Sequence, residues 1–155
     1  MGGTVPEPAA QPGGRGVKAS PSLLYLVKRT ELVVRARLEE VLKPAGVTAL
    51  QYTALTVLQR HDQLTAAELA RGSFVTAQSM ADMVRTLQAR GYVARQPNAA
   101  NRRELLITLT DLGRQLLADY EQPVGDLERR MTDGLTADQT AELRAGLDHT
   151  WRRLS

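Results

Sequence analysis

The sequence predicts a mainly α-helical protein with a small β-hairpin. Three observations predict this fold class: apolar residues recur at helical spacing over most of the chain, hydroxyl residues suited to helix capping precede these stretches, and one short alternating segment interrupts them. Only 4% of the 155 residues are aromatic, so the core must be built mostly from Leu, Val and Ala, which favours helices.

The start of the chain differs in composition from the rest. Residues 1–20 hold five glycines and three prolines, which predicts a disordered N-terminal arm because such a segment buries too little apolar surface to offset its chain entropy. It has no apolar segment typical of a signal peptide, and no run of about 18 apolar residues occurs anywhere. We therefore expect a cytoplasmic protein without a membrane span, folded over residues 21–155.

Two helices are predicted before residue 61. Residues 22–42 form the first, because one stripe of their surface is apolar. Pro44 and Gly46 end it, and a Thr-x-x-Gln capping box at Thr48 opens the second helix, which reaches about Arg60. The stripe of the first helix consists of Leu23, Val27, Val34, Leu38 and Val41.

A short helix and a longer helix come next. The Thr-x-x-Glu capping box at Thr65 opens a helix that extends only to Arg71, because a Gly-Ser pair follows. Thr76 is predicted to cap a fourth helix that ends at Arg90, before a glycine. This is a helix-turn-helix pattern, although an ordinary helical hairpin has the same pattern. The predicted buried face of the fourth helix is Met80, Met83, Val84 and Leu87.

A basic β-hairpin is predicted directly after the fourth helix. Residues 92–95 and residues 104–109 have the pattern of strands, and the segment between them is rich in turn formers. From Met83 to Arg103 there are five arginines and no acid, so this window carries +5 and the rest of the chain 3 − 5 = −2. A helix-turn-helix followed by a basic hairpin is a winged helix, with Arg102 and Arg103 at or beside the tip of the wing.

Two further helices are predicted after the wing. One begins at Thr110, and Pro123 is expected to bend it because proline removes a backbone hydrogen bond. The last begins at a capping box at Thr136. A winged-helix core of about residues 48–110 cannot cover all the apolar stripes, so residues 22–42 and 111–155 are predicted to be dimerisation helices. The stripes after the wing are Leu112, Leu116, Tyr120, Val124, Leu127 and Met131, then Leu143, Leu147, Trp151 and Leu154.

The order of these elements, together with several motifs, resembles the MarR (multiple antibiotic resistance regulator) family of bacterial transcription factors. The motifs are Leu87, Arg90-Gly91-Tyr92-Val93, the wing triplet Asn101-Arg102-Arg103, and Leu109-Thr110 followed by Gly113. The likeness covers roughly Ser22 to Ser155. It implies a homodimeric transcriptional regulator, most simply a repressor, that binds a pseudo-palindromic operator in double-stranded DNA. Its fourth helix would enter the major groove and a wing arginine the minor groove.

Three features depart from the family pattern. Asn101 stands where the family wing usually has an acid, and its amide can cap the turn but cannot form an ion pair. Asp82 stands where a basic residue is common. It can pair with Arg85 or the adjacent threonine, or accept a hydrogen bond from a cytosine amine, and the sequence leaves these alternatives open. Phe74 and Val75 occupy the turn before the fourth helix, and we expect both to fill the core.

The DNA-contacting residues are predicted on the fourth helix and the wing. Backbone N–H groups and short hydroxyls at a helix N-terminus bind phosphate, and Gln78 can contact an adenine with both amide atoms. A guanidinium in a narrow minor groove sits in enhanced negative potential, and Arg103 is favoured for this role. The alternative is that these residues are only solvated polar side chains. The predicted set is Thr76, Ala77, Gln78, Ser79, Asp82, Arg85, Asn101, Arg102 and Arg103.

Other kinds of site have less support. The chain has no cysteine, and His61 and His149 are far apart in sequence, so we expect no metal site and no cofactor. No catalytic motif is present in a suitable context, so we expect no enzyme. The resemblance implies a cleft for a small aromatic or lipophilic effector, and Tyr25, Tyr52 and Tyr120 are candidates to line it, with core packing as the alternative. The main competing function is a winged helix that binds an acidic protein partner.

Overall fold

The computed structural model describes residues 20–155, so the predicted disordered arm lies outside the described residues except for its last residue. Within residues 20–155 the helices and strands follow in the order α1 (Leu23–Leu42), α2 (Ala49–Arg60), β1 (Leu64–Thr65), α3 (Ala66–Gly72), α4 (Ala77–Ala89), β2 (Val93–Pro97), β3 (Leu105–Leu109), α5 (Asp111–Met131) and α6 (Ala137–Leu154). A 3-10 turn, Lys43–Ala45, follows α1. The predicted mainly α fold with a helix-turn-helix and a β-hairpin wing is confirmed.

A hydroxyl side chain caps the N-terminus of every α-helix in this range. The capping boxes at Thr48, Thr65 and Thr136 are confirmed, because each hydroxyl accepts a backbone N–H and the side chain three residues later accepts from the cap's own N–H. Such caps satisfy donors that have no partner inside the helix, and each contributes about 1 kcal/mol. The remaining caps are Ser22, Thr76 and Thr110.

The strands form one antiparallel sheet in the order β1-β3-β2. The predicted hairpin is confirmed as β2 paired with β3. The sheet also contains β1, which the sequence does not predict, and in which Leu64 pairs with Ile107 and Thr65 with Leu106. A strand of two residues is too short to show an alternating pattern, and it is identified only by its partner strand. This strand joins the start of α3 to the wing.

The hydrophobic core lies among α2, α3, α4, the sheet and the first half of α5. The predicted buried face of α4 is confirmed, because Met80, Val84 and Leu87 are at most 1% exposed and Met83 packs against them from a partly buried position. The largest fully buried side chains are Leu42, Leu55, Leu58, Leu69, Met80, Leu87, Ile107 and Val84.

Arg90 attaches the C-terminal end of α4 to the segment after α1. Its Nη1 donates to the carbonyl of Gly46 at 2.5 Å, and its Nη2 donates to the carbonyl of Ala45 at 2.7 Å. The guanidinium also lies 5.1 Å from the centre of the Tyr92 ring. Gly46 has a left-handed φ of 63°, which a glycine adopts without strain. This end of α4 is therefore held by two charge-assisted hydrogen bonds.

The expectation that Phe74 and Val75 both fill the core is wrong for Phe74. Val75 packs against the core, but Phe74 is 70% exposed. The cause is the backbone, because Phe74 has a φ of 59° and is the sole non-glycine residue with a positive φ in residues 20–155. The left-handed residue turns the chain sharply, so only one of the two neighbouring side chains faces inward.

The outer helices leave apolar side chains exposed. No residue of α6 is buried, and α1 buries only Leu42. On α6, Leu147 is 49% exposed and Trp151 is 52% exposed. α5 continues through Pro123 as a single helix, and a bend at that residue stays a prediction. These apolar faces are not covered by the described part of the chain.

Candidate nucleic-acid interface

The N-terminal turn of α4 presents short polar side chains to solvent. Thr76 Oγ1 accepts the backbone N–H of Ser79 at 3.1 Å and donates to the Ser79 hydroxyl at 3.0 Å, so Thr76 acts as the cap. Ala77, Gln78 and Ser79 are exposed. The first N–H groups of a helix have no acceptor within it and carry partial positive charge. This turn therefore offers donors that suit a phosphate oxygen.

Asp82, the acidic residue of the α4 sequence, forms an ion pair within the helix. Its Oδ1 contacts a terminal nitrogen of Arg85, and both side chains are more than half exposed. Thr86 Oγ1 donates to the backbone carbonyl of Asp82 at 3.2 Å rather than to its carboxylate. Of the alternatives left open by the sequence, pairing with Arg85 is present. An exposed pair at this spacing contributes only about 0.2–0.5 kcal/mol, so an approaching DNA can rearrange it.

Asparagine amides stabilise the tip of the wing between β2 and β3. Asn98 Oδ1 accepts the N–H of Ala100 at 3.0 Å, and Asn101 Oδ1 accepts the N–H of Arg103 at 3.2 Å. The N–H of Asn98 donates to the carbonyl of Glu104, and the N–H of Glu104 donates to the carbonyl of Asn101, both at 2.9 Å. An amide at residue 101 therefore caps the wing turn, as expected.

Arg102 and Arg103 are exposed at this tip. Neither forms a salt bridge with another described residue, in contrast to Arg85, Arg114 and Arg129, each of which pairs with an aspartate three positions earlier. No described carboxylate thus forms an ion pair with the two wing guanidinium groups, and a phosphate backbone is the kind of partner that such charges attract.

A cavity of about 390 Å³ lies between α4 and the wing. Val84 of α4, Arg95 of β2 and Arg103 of the wing all line it, so the helix and the wing border one space. The Nε of Arg95 is buried and has no hydrogen-bond partner among the described residues. A buried donor without a partner is rare in a folded protein. Arg95 is not among the residues predicted from the sequence, because the charge pattern does not show that this side chain turns inward.

The three candidate tyrosines line neither this cavity nor one of about 420 Å³ between α1 and α5. Tyr52 is buried, and Tyr120 packs against the same core. Burial raises the pKa of Tyr52 above its usual value, and the negative charge of Glu121 adds to this effect. Tyr25 is 55% exposed, with the guanidinium of Arg29 5.6 Å from the ring centre. The core thus brings Tyr52 and Tyr120 together and leaves Tyr25 outside, and an effector site at these residues stays a prediction.

Two other kinds of feature are lacking in the described part of the chain. Residues 20–155 hold no group of three His, Asp or Glu side chains placed to bind a metal ion. None of the helices in that range combines the length and the apolar character needed to cross a membrane.

A short helix, a tight turn, a capped and exposed second helix, and a basic hairpin beside it define the winged-helix class of protein. A model of the MarR family matches residues 45–104. The HTH-type transcriptional repressor Rv2887 of Mycobacterium tuberculosis is 35% identical over 133 residues, which cover 86% of this chain and 96% of the relative. The chain therefore belongs to the MarR family, a family of transcriptional regulators.

Two solved structures extend the comparison. A mutant of Escherichia coli MarR in complex with operator DNA superposes with a TM-score of 0.75 at 30% identity, over 83% of this chain and 92% of that one. Rv2887 in complex with p-aminosalicylic acid superposes with a TM-score of 0.69 at 34% identity, over 84% of this chain and 98% of that one. The similarity thus includes the outer helices as well as the winged helix.

Proposed function

We propose that this chain is a DNA-binding transcriptional regulator, a repressor, that binds a pseudo-palindromic operator as a homodimer. The observation that carries the proposal is the placement of Arg103, which forms no salt bridge within residues 20–155, on the same cavity as α4. A helix with an exposed polar N-terminus and an adjacent cationic loop match a major groove and the neighbouring minor groove. Repressor relatives and the operator complex of E. coli MarR support the assignment.

Each predicted contact residue has a role in this proposal. The N-terminal turn of α4 (Thr76, Ala77, Gln78 and Ser79) approaches phosphates with its backbone N–H groups and a base edge with Gln78. Asp82 and Arg85 face the groove one turn further along α4. On the wing, Asn101 holds the turn while Arg102 and Arg103 meet the narrow groove, where guanidinium groups are attracted by the enhanced negative potential. These assignments rest on exposure, hydrogen bonding and charge.

The homodimer follows from the exposed apolar faces. We divide the chain into a DNA-binding core of about residues 48–110 and dimerisation helices at residues 22–42 and 111–155. The exposed apolar side chains of α1 and α6 support this division, because a monomer gains nothing from leaving them in water. Two copies related by a twofold axis would bind half-sites about one helical turn, or roughly 10 base pairs, apart.

A small aromatic acid is the proposed effector. Arg95 and Arg103 both line the cavity between α4 and the wing, and the related Rv2887 has been solved with p-aminosalicylic acid. A carboxylate on Arg95 would place the ligand between the two DNA-contacting elements and lower the affinity for DNA. We expect added p-aminosalicylic acid to release bound DNA from the wild type and not from Arg95→Gln. Tyr25, Tyr52 and Tyr120 stay the alternative site.

We further propose that the chain is not an enzyme, needs no cofactor and acts in the cytoplasm, where its DNA target lies. A family of transcriptional regulators and the lack of a catalytic motif in the sequence support the first of these statements.

An electrophoretic shift with the DNA upstream of its own gene tests the function. The purified protein is titrated at about 50 and 200 mM salt, with a duplex of shuffled sequence as control. We expect tight binding to the upstream duplex, weaker binding to the control, and a steep loss of affinity at the higher salt. Lack of binding to either duplex at low salt would contradict the proposal and favour a protein-binding winged helix.

A further inference from the structure

The sole phenylalanine and the sole tryptophan of the chain contact each other. Phe74 lies in the turn between α3 and α4, and Trp151 lies in the last turns of α6. Their ring centres are 6.5 Å apart with an interplanar angle of 81°, an edge-to-face arrangement that aromatic pairs prefer. The contact joins a helix that we assign to the dimer layer with the turn that leads into the DNA-contacting helix.

This contact is not part of the hydrophobic core. Phe74 is 70% exposed and Trp151 is 52% exposed, so the pair buries little of its apolar surface. α6 also contacts α5 through an exposed pair, in which Arg144 lies 3.2 Å from Glu128. The ring pair therefore contributes little to the stability of the fold, and its place between α6 and the turn before α4 suits it to couple these two elements.

The backbone directs the Phe74 ring towards α6. A bulky residue with φ 59° is strained, and such conformations persist where the surroundings hold them. Here the N–H of Ser73 donates to the carbonyl of Leu69 at 3.0 Å, and the N–H of Val75 donates to the carbonyl of Ala70 at 3.1 Å. The turn is thus fixed to α3 on both sides of Phe74, and only one residue, Val75, separates Phe74 from the cap of α4 at Thr76.

We propose that Phe74 and Trp151 are positioning residues that set the N-terminal end of α4 relative to α6. The proposal rests on the proposed DNA-binding function. A shift of α6 within the dimer displaces the Phe74 ring, and the turn carries this displacement to Thr76 and the exposed residues that follow it. Neither ring contacts DNA in this account, and both act through the placement of α4.

A double-mutant cycle on DNA affinity tests the coupling. Phe74→Ala, Trp151→Ala and the double variant are compared with the wild type on the upstream duplex, and Leu50→Ala on α2 serves as an exposed apolar control. Coupling of this kind typically changes affinity by roughly 2- to 30-fold. We expect each single variant to lose affinity within that range, the double variant to lose no more than the larger single loss, and Trp151→Phe to retain most of the affinity.

Two further measurements separate positioning from folding. Sedimentation and thermal unfolding of Phe74→Ala, which keeps α6 intact, should match those of the wild type. Since Trp151 is the sole tryptophan, its emission should change in Phe74→Ala if the rings meet in solution. Losses that multiply in the double variant, unchanged affinity in both single variants, or unchanged emission overturn the inference while the DNA-binding function stands. A wild type that binds no DNA overturns both.

Discussion

Arg103 is the single side chain on which the electrostatics of the proposed interface depend most. Its backbone N–H is fixed by Asn101, its guanidinium forms no salt bridge with a described residue, and it lines the cavity that also borders α4. A cation without a local counter-ion breaks no ion pair when it binds a phosphate.

Replacing this arginine should weaken all DNA binding by a similar factor. Arg103→Ala removes one cationic contact, so we expect lower affinity for specific and shuffled duplexes alike and a salt slope smaller by about one. The measurement is a salt titration of DNA affinity. Arg152→Ala, which removes the same charge from a residue paired with Asp148 on α6, is the matched control. An unchanged salt slope in Arg103→Ala would show that the wing is not part of the DNA interface.

The Asp82 side chain should lower the affinity for DNA that does not place a cytosine beside it. Its carboxylate stays paired with Arg85 on DNA that offers no suitable base. At a cytosine, the carboxylate can instead accept a hydrogen bond from the base amine, which leaves Arg85 to contact a guanine. We therefore expect Asp82→Asn to bind shuffled DNA more tightly. Its discrimination against other base pairs at one C·G position should be smaller by roughly 5- to 100-fold. Competition binding against single-base-pair variants of the operator measures this.

The control for this variant lies on α5. Asp126→Asn removes an equivalent partner from Arg129 at the same spacing, away from the proposed interface. If both variants raise the affinity for shuffled DNA equally, the effect comes from net charge and not from the position of Asp82.

The start of α5 is packed unusually closely against the backbone of Gly91 and Tyr92, which follow α4. Thr110 Oγ1 donates to the carbonyl of Gly91 at 2.6 Å and accepts the N–H of Gly113 at 3.1 Å. A Cβ at Gly113 would lie 2.2 Å from the backbone carbonyl oxygen of Tyr92. Since that oxygen belongs to the main chain, it cannot move without shifting β2 or α5.

Adding one methyl group here should therefore destabilise the whole fold. Gly113→Ala is expected to lower the free energy of unfolding by about 2 kcal/mol, the usual cost of overpacking. Gly146→Ala is the control, because a Cβ there meets nothing within 4 Å and alanine favours a helix, so its stability should rise by up to about 1 kcal/mol. Denaturant unfolding at one fixed protein concentration compares the two. Equal stability of both variants would show that the close approach is not rigid.

At the scale of elements, the sequence predicts what local chemistry determines. The hydroxyl caps and apolar spacing locate the helices because both signals lie within a few residues of the structure that they specify. The sequence does not predict β1 because its strand character depends entirely on β3. The predicted burial of Phe74 is wrong because hydrophobicity predicts burial and does not reveal a left-handed backbone. The inward turn of Arg95 is likewise invisible, since it depends on packing between distant segments.

Over the whole molecule, the exposed apolar stripe of α6 is the feature that a monomer leaves unexplained. Leu143, Leu147 and Trp151 share one side of the helix and are each between 41% and 52% exposed. A second copy is the partner that the proposed function requires, because two recognition helices must be held at a fixed separation.

A charge on this stripe should separate the protomers. Leu147→Glu buries a carboxylate in the proposed interface, so we expect a monomer at micromolar concentration and loss of operator binding. Ala145→Glu, on the opposite side of α6, introduces the same charge and should leave the dimer intact. Sedimentation velocity distinguishes the two. A dimeric Leu147→Glu, or a monomeric wild type, would place the interface elsewhere or abolish it.

Arg90 and Phe74 contact neighbouring elements in different ways at the two ends of α4. At Arg90 a guanidinium holds two main-chain oxygens, whereas at the opposite end the side chain of Phe74 meets a single ring edge. If a shift of α6 tilts α4 about the end that Arg90 holds, the residues near Thr76 move farthest. For 13 residues, about 20 Å of helix, a tilt of roughly 10° moves the far tip by about 3 Å, close to the rise of one base-pair step. A tilt of this size would therefore move the N-terminal residues of α4 along the DNA by about one base-pair step.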